Sequence, residues 1–300
     1  MRTGKPEKKN GGYANPVISV LSIQKDTMWF LLWIGGIGIL WLWDLFFLNV
    51  PARHQVQSSF INTLIISALV IVFSVCAAWS TANAVHYLRS VRMPFFFHTF
   101  NFILNLLRSI PQIIGILFGY VVLTLLMQQE TLNQAFLQLA AMAAVLAIFV
   151  FLELHDLLLE RIEHFQKQDF CNAMRVCGIS EFRIINREIL IGNSRIHIFY
   201  KLIAIFGTAI FLQCSIDFII SVGLSLQLSS VNFPLTLGSL LAKIDSKQDI
   251  LAIGYSLTNW DYIRYLFTRH LQGISVAFLI VYSLICIHKT SNAYARRRQL

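Results

Sequence analysis

Gln168–Leu190 reads QDFCNAMRVCGISEFRIINREIL. It is the longest strongly polar interval in a chain made mostly of apolar runs. It divides at Gly178-Ile179-Ser180. The glycine suits a helix C-terminus and the serine suits the N-cap of a following helix. Before the break Phe170, Ala173 and Cys177 recur at i, i+3 and i+7; after it Phe182, Ile185 and Ile189 do the same. Each half is therefore predicted to be a short amphipathic helix with one apolar face. Arg175, Arg183 and Arg187 fall on the other faces. Such a helix–turn–helix, held between membrane spans, reads as a docking element for a soluble partner. A solvated loop with some helix is the alternative.

The rest of the chain supplies the membrane. Its 300 residues are 56% hydrophobic and only 13% charged, with a mean hydropathy of +0.65. That much apolar surface does not fit inside one water-soluble core of this size. Phe is abundant and six Trp accompany it. A net charge of +9 raises nucleic acid as a partner, but in a membrane protein basic residues concentrate in cytoplasmic loops, so their distribution decides. The five Cys form no framework: Cys76, Cys214 and Cys286 fall in apolar segments, and Cys171 and Cys177 have no His at metal spacing. Reduced thiols are the reading, over zinc or a disulfide. The N-terminus lacks a signal-peptide pattern, its polar part being too long.

Residues 1–27 divide into a basic tail, Met1–Asn15, and a mildly amphipathic stretch, Val17–Thr27, predicted to lie in the membrane interface or to serve as a linker. Six candidate spans follow, each near the roughly 20 residues a bilayer requires: Met28–Val50, ended by Pro51, then about Phe60–Tyr87, Phe100–Met127, Ala135–Leu158, Ile198–Ile220 and Gly273–His288. With the N-terminus inside, the inner segments carry Arg2, Lys5, Lys8, Lys9, Lys25, Arg89, Arg92, Arg161, Lys167, Arg175, Arg183, Arg187, Arg195, Lys289 and Arg296–Arg298. The outer segments carry only Arg53, Lys243, Lys247, Arg264 and Arg269. The bias places both termini, residues 291–300 included, and the 168–190 stretch in the cytoplasm, and makes the terminal arginines a topology anchor with no nucleic-acid role. The long outer segment Gly223–Gln272 is too apolar for a disordered loop and is predicted to be a partly re-entrant or interfacial helical cap.

Charges within apolar context are candidates for function. Asp44 and Asp217 fall near the outer ends of their spans, which predicts interfacial placement. Arg108, shortly before Pro111, is predicted to snorkel to the cytoplasm. Glu153, His155 and Asp156 are read as a solvated helix end in preference to a metal or proton site. No H-E-x-x-H, G-x-S-x-G or Walker loop is present, so the chain offers no catalytic pattern and no ATP site of its own. No fixed-period repeat or inverted half emerges.

The opening stretch resembles the EAA loop of bacterial ABC-importer permeases, within the dipeptide, oligopeptide and nickel group. That group's wording is close to D-[FY]-V-E-A-A-R-x-L-G-A-S-x-x-R-I-I-x-R-H-I-L-P-N. Asp169, Phe170, Ala173, Arg175, Gly178, Ser180, Arg183-Ile184-Ile185, Arg187 and Ile189-Leu190 fall in register without a gap. Gly238-Ser239-Leu240-Leu241-Ala242 is similar to the group's W-G-x-M-L-A segment, and Arg108-Ser109-Ile110-Pro111 to its I-P element. Asn172 stands where the motif has Glu, Met174 where it has its second Ala, and Ile191 where it has Pro. The G-T-D-x-x-G-R-D segment is absent, Pro51–Ser59 being too short to hold it.

The resemblance covers about residues 60–290, the permease core, after a first span and short outer loop at 28–59. It implies an all-α integral membrane protein with six transmembrane helices, the type I importer permease fold and a cytoplasmic coupling helix. The implied partners are a homologous permease subunit, two ABC ATPase subunits that bind ATP and Mg, and an extracytoplasmic substrate-binding protein. The implied location is the bacterial inner membrane. The chain would be a non-catalytic transport subunit with no cofactor or metal. Asp169, Asn172, Ala173, Arg175, Gly178, Ser180 and Arg183 would contact the ATPase. Ala173 and Gly178 would act by being small, and Arg175 and Arg183 by pairing with acidic groups. Peptides are the first expected substrate, with nickel or another small nutrient as the alternative. An ion-coupled secondary transporter would need a buried acidic relay, which the sequence does not present; a membrane-embedded enzyme finds no constellation.

Overall fold

The computed structural model describes residues 16–90, 93–129, 134–223, 233–243, 246–265 and 271–296. Eleven helices are numbered here in chain order: α1 Pro16–Phe47, α2 Val50–Ser90, α3 Pro94–Ser109, α4 Gln112–Gln128, α5 Ala135–Gln166, α6 Asp169–Val176, α7 Glu181–Arg183, α8 Arg195–Gly223, α9 Leu237–Lys243, α10 Ser246–Thr258 and α11 Leu271–Arg296. A π-helical segment, Ile184–Asn193, continues α7, and a 3₁₀ turn covers Trp260–Tyr262. No strand occurs among the described residues.

Among the described residues the protein is all-α, with five helices long and apolar enough to cross a membrane: α1, α2, α5, α8 and α11. The bent pair α3 and α4 raises the number to as many as six. Large side chains such as Phe46 (81% exposed) and Phe118 (72% exposed) point away from the bundle. Lipid is the medium in which such a surface costs nothing, while every helix satisfies its own backbone.

Two packed regions hold the helices. The larger runs between α2 and α5 and spreads onto α4 and α8. Ala78 and Ala82 on α2, with Ala143 and Ala147 on α5, are buried in it; small side chains let helices approach closely in a bilayer. The smaller joins α2, α8, α9 and α11, with Trp33, Ile37 and Leu40 of α1 packed against it.

Several expected boundaries move. The expected interfacial stretch Val17–Thr27 is helical and runs into the first span without a break; the facing of Val17, Val20, Leu21 and Ile23 lies outside the described residues. Pro51 does not end the first span. That helix stops at Phe47, and Pro51 sits in the first turn of α2, where its missing N–H would have had no helical partner. Pro51–Ser59 is therefore helix, not loop. The expected third span is not one straight rod: α3 and α4 meet at 98°. Pro111 causes the break, with Ile110 before it extended at φ −84° and ψ 123°, the conformation a following proline favours. The predicted cap is largely helical where described, as α9, α10 and the 3₁₀ turn, with residues 233–236 and 259 non-helical. Met1–Asn15, Arg92, Arg269, Arg297 and Arg298 lie outside the described residues.

The second half of α5 ties the end of the bundle that carries α6. Glu153 pairs with Lys201 of α8 at 2.8 Å, Asp156 with Arg108 of α3, and Glu163 with Arg89 of α2 at 3.0 Å. His155 is fully buried, with its Nδ1 2.8 Å from the Thr81 hydroxyl of α2. The 153–156 cluster is thus an inter-helix junction within α5, with His155 buried, Glu153 half-buried and only Asp156 exposed as a solvated helix end would have it. The sequence reading missed this because each carboxylate's partner lies on a different helix. Arg108 is exposed, and besides pairing with Asp156 it donates to Asn105 Oδ1 at 2.8 Å.

Candidate functional site

The 168–194 stretch folds as expected at its centre. Helix α6 ends at Cys177 and Gly178 carries φ +77°, a conformation that side chains with a Cβ adopt at a cost. Ile179 N donates to Met174 O at 3.1 Å and Gly178 N to Arg175 O at 2.9 Å. This crossed pair closes the helix and satisfies carbonyls the helix leaves open. Ser180 occupies the N-cap position, but its side chain makes no capping hydrogen bond. Its carbonyl accepts instead from the Arg183 and Ile184 amides.

The two faces of α6 differ from the expected ones. Phe170, Cys171 and Met174 turn inward, with Cys171 completely buried and Phe170 edge-on to Phe165 at 6.1 Å. Ala173 and Cys177, grouped with Phe170 by their spacing, are exposed. They form the outer face with Asn172, Val176 (88% exposed) and, across the turn, Phe182 (72% exposed). Asp169 is exposed in the first turn of α6, where a negative charge suits the helix dipole.

Arg175 is exposed and already engaged within the stretch. Its guanidinium pairs with Glu181 across the turn and donates to Asn172 Oδ1 at 3.0 Å. The hydrogen bond to Glu181 holds its pKa above the ordinary arginine value. Arg175 thereby staples the two halves of the stretch together. Arg183 is exposed.

The second half is not the α-helix that the spacing of Phe182, Ile185 and Ile189 predicts. From Ile184 to Asn193 the backbone is π-helical. A π turn brings residues five apart into line. Ile184 and Ile189, then Ile185 and Leu190, stack this way and are all buried in the main core. The paired apolar residues at a spacing of five were the signal in the sequence; reading with an α period assigned Phe182 inward in their place.

A polar clamp fixes this segment to α2. Trp79 Nε1 donates to Asn186 Oδ1 at 2.7 Å, and Asn83 and Asn186 exchange amide hydrogen bonds at 3.1 and 3.0 Å. Nothing in the sequence spacing joins residues a hundred positions apart. Asn186→Leu leaves the Trp79 and Asn83 donors unpaired, and the expected cost is about 1–3 kcal/mol, read as a lowered thermal midpoint; Asn186→Asp, which keeps the acceptor, should lose less.

The two thiols report the two faces. Cys177 is exposed, whereas Cys171 is buried and burial pushes its thiol pKa up. A maleimide should modify Cys177 rapidly in the folded protein and reach Cys171 only on unfolding; equal rates would contradict the orientation of α6.

At the opposite end of the bundle lies a second polar group. Asp44 and Asp217 are not interfacial in the sense of facing solvent: both are buried. Ser275 Oγ donates to Asp44 Oδ1 at 2.9 Å, and Thr236 Oγ1 donates to Asp217 Oδ2 at 2.6 Å. Thr236 precedes α9, whose first residue Leu237 donates its amide to Thr63 Oγ1 of α2 at 3.1 Å. Gly238 sits against the Cys214 backbone of α8, where any Cβ would collide. Among the described residues no group of three or more His, Cys, Asp or Glu is arranged to hold a metal. No family model and no curated protein matches the chain.

Proposed function

We propose that the chain is a transmembrane permease subunit of an ATP-driven importer, with peptides as its cargo and nickel or another small nutrient as the alternative. The observation that carries this reading is the outer face of α6 and its turn. Ala173, Asn172, Cys177, Gly178, Val176 and Phe182 form an exposed, largely apolar knob whose other side is locked into the bundle core. That geometry suits seating in a groove of a soluble ATPase. The resemblance of the 169–190 stretch to the EAA loop, in register at Asp169, Phe170, Ala173, Arg175, Gly178, Ser180, Arg183, Arg187 and Leu190, supports an importer ATPase as that partner.

The departures from that motif sort by face. Met174, where the motif has its second Ala, is half-buried and packs inward, so it leaves the docking surface unchanged. Asn172, where the motif has Glu, is exposed and does alter it. Ile191 lies in the π-helical segment, where a proline would have no N–H to give to the preceding turn.

In this mechanism the partner ATPases, with their ATP and Mg, supply the force, and a homologous permease and an extracytoplasmic binding protein complete the importer in the bacterial inner membrane, both termini of this chain being cytoplasmic. Closure of the ATPase pair pushes the α6 knob. The ion pairs of α5 and the Asn186 clamp pass the displacement to α2, α3 and α8, and the spans rock between inward- and outward-open states. Co-expression with an importer ATPase tests it: the complex should co-purify, and Val176→Asp together with Phe182→Asp should abolish co-purification while the membrane part folds normally. Retained association would remove the docking role.

The ion-coupled reading gains one observation, the buried Asp217. Transport in proteoliposomes separates the two: uptake driven by an ion gradient without any ATPase would favour it over the importer.

A further inference from the structure

Asp217 is buried near one end of α8, yet no Lys, Arg or His among the described residues pairs with it. The stretch 224–232 that follows α8 contains no basic residue, while Arg269, His270 and the Lys247 side chain lie outside the described residues. Around the carboxylate, polar atoms lack partners. The Gln213 side chain is completely buried with both amide atoms unpaired, and the hydroxyl of Tyr120, 2% exposed, is unpaired too. Both side chains approach the same carboxylate without closing hydrogen bonds of good geometry. Buried polar groups of native proteins are satisfied almost without exception, by protein, water or an ion. A carboxylate in a low-dielectric interior is neutralised by a proton or paired with a cation unless hydrogen bonds alone hold its charge.

We propose that Asp217, Thr236, Tyr120 and Gln213 form a binding site for one monovalent cation, a proton or Na⁺. The available donors are a carboxylate, two hydroxyls and an amide carbonyl. Such oxygens are the ligands of hard cations, and the single carboxylate matches a single charge and falls short of what Ca²⁺ sites supply. The site is anchored on every side. Thr236 is held by Ser239 Oγ, which accepts from its backbone amide at 2.9 Å. Tyr120 stacks on Phe233 at 6.0 Å. Gly238 packs α9 directly on the α8 backbone beneath.

Among the described residues, the other titratable groups that face Asp217 are the Tyr120 phenol of α4 and the Cys214 thiol of α8. From α2 and α9 come the hydroxyls of Thr63 and Ser239. Charged groups on those elements stand off: His54 of α2 is about 14 Å along the helix from Thr63, and Lys243 ends α9 about 10 Å from Thr236. On α5, Glu153 pairs with Lys201, which lies about 24 Å down α8 from Asp217. On α11, Gly207 faces Ile287, so His288 and Lys289 lie about 15 Å below the site. By the same register Ser275, and the Asp44 it bonds, are level with Asp217. The site does not rest on the importer reading, and either transport mechanism can contain it.

The full-length protein in zwitterionic nanodiscs is treated with dicyclohexylcarbodiimide, which modifies buried carboxyls only when protonated, and modification is read at residue 217 by mass spectrometry. Parallel samples contain NaCl or choline chloride at matched ionic strength, and thermal unfolding is followed in each. Modification that falls roughly tenfold per pH unit in the titrating range and ignores sodium identifies the cation as a proton. Modification suppressed by NaCl but not choline chloride, with a saturable rise in thermal midpoint, identifies it as Na⁺. No modification of Asp217 and no sodium-specific thermal shift would overturn the proposal, as would modification of Asp44 alone. Because Asp217→Asn can fail to fold, Gln213→Ala is the second variant. It keeps the carboxylate and should shift the pH midpoint or the half-protecting sodium concentration roughly tenfold. An unchanged Gln213→Ala would overturn the four-residue site.

Discussion

If the chain is the importer subunit proposed above, Gly178→Arg is expected to insert in the membrane, fold, and abolish ATP-driven uptake. The folding half of this follows from the space around the residue. A Cβ at 178 meets no atom within 4 Å, so the arginine projects into solvent and disturbs no packing. What it disturbs is the backbone: φ is +77°, and an L side chain held there costs about 1–2 kcal/mol. The crossed hydrogen bonds from Ile179 and Gly178 and the Arg175–Glu181 pair hold the turn against that strain. The functional half follows from position. The new side chain stands in the middle of the Ala173, Val176, Cys177 and Phe182 face, and holds the proposed partner away. Gly178→Ala carries the same backbone strain without the bulk and should retain most uptake, and Gly178→Asn, which tolerates this φ better, should retain more. Uptake and substrate-stimulated ATP hydrolysis in reconstituted vesicles are the measurements. Normal values in the arginine variant would rule the docking role out.

Gly238→Val should be the most destabilising single change outside the α2–α5 core. Its Cβ would overlap the backbone of Cys214, and backbone cannot swing aside as a side chain tip can. Either α9 lifts from α8 or the helix bends. Forced overpacking of this kind costs about 1–3 kcal/mol, and more where backbone must move. The damage would spread, since lifting α9 breaks the Leu237–Thr63 and Thr236–Asp217 hydrogen bonds together. Gly254→Ala is the matched control. It lies within α10 with nothing within 4 Å of a Cβ, and should stabilise by about 0.5–1 kcal/mol through helix propensity alone. Thermal unfolding in nanodiscs compares the two, and similar midpoints would contradict the close approach of α9 to α8.

What the sequence made legible was local or periodic. The break at Gly178 was readable because one residue type dominates that backbone conformation. Long apolar runs announced α1, α2, α5, α8 and α11, since bilayer thickness sets their length. The hydropathy of Phe100–Met127 was equally readable, but the bend was not taken from Pro111, although a proline after Ile110 is a local signal for one. Pairings across the bundle were out of reach: Asp156 with Arg108, Glu153 with Lys201, and Asn186 with Trp79 join helices whose azimuth only packing sets. For the same reason counting residues puts Asp217 near a helix end and predicts an interfacial group, whereas packing buries it. Depth along a helix can be counted from sequence; whether α4, α9 or lipid stands beside a given residue at that depth cannot. The π segment failed for a different reason, because an α period was imposed on residues repeating every five.

The bend at Pro111 has a consequence for the bilayer itself. Helix α4 has 17 residues, a length of about 25 Å, while α3 leaves it at nearly a right angle. A hydrocarbon core is about 30 Å thick. If α4 crosses on its own, its ends fall some 5 Å short, and lipid must thin beside it at a cost of fractions of a kcal/mol per Å. Membrane thickness then acts on this one helix more than on α2 or α8, which are long enough to tilt. Reconstitution in lipids of graded chain length should therefore change the protein's thermal midpoint, with the optimum on the thin side.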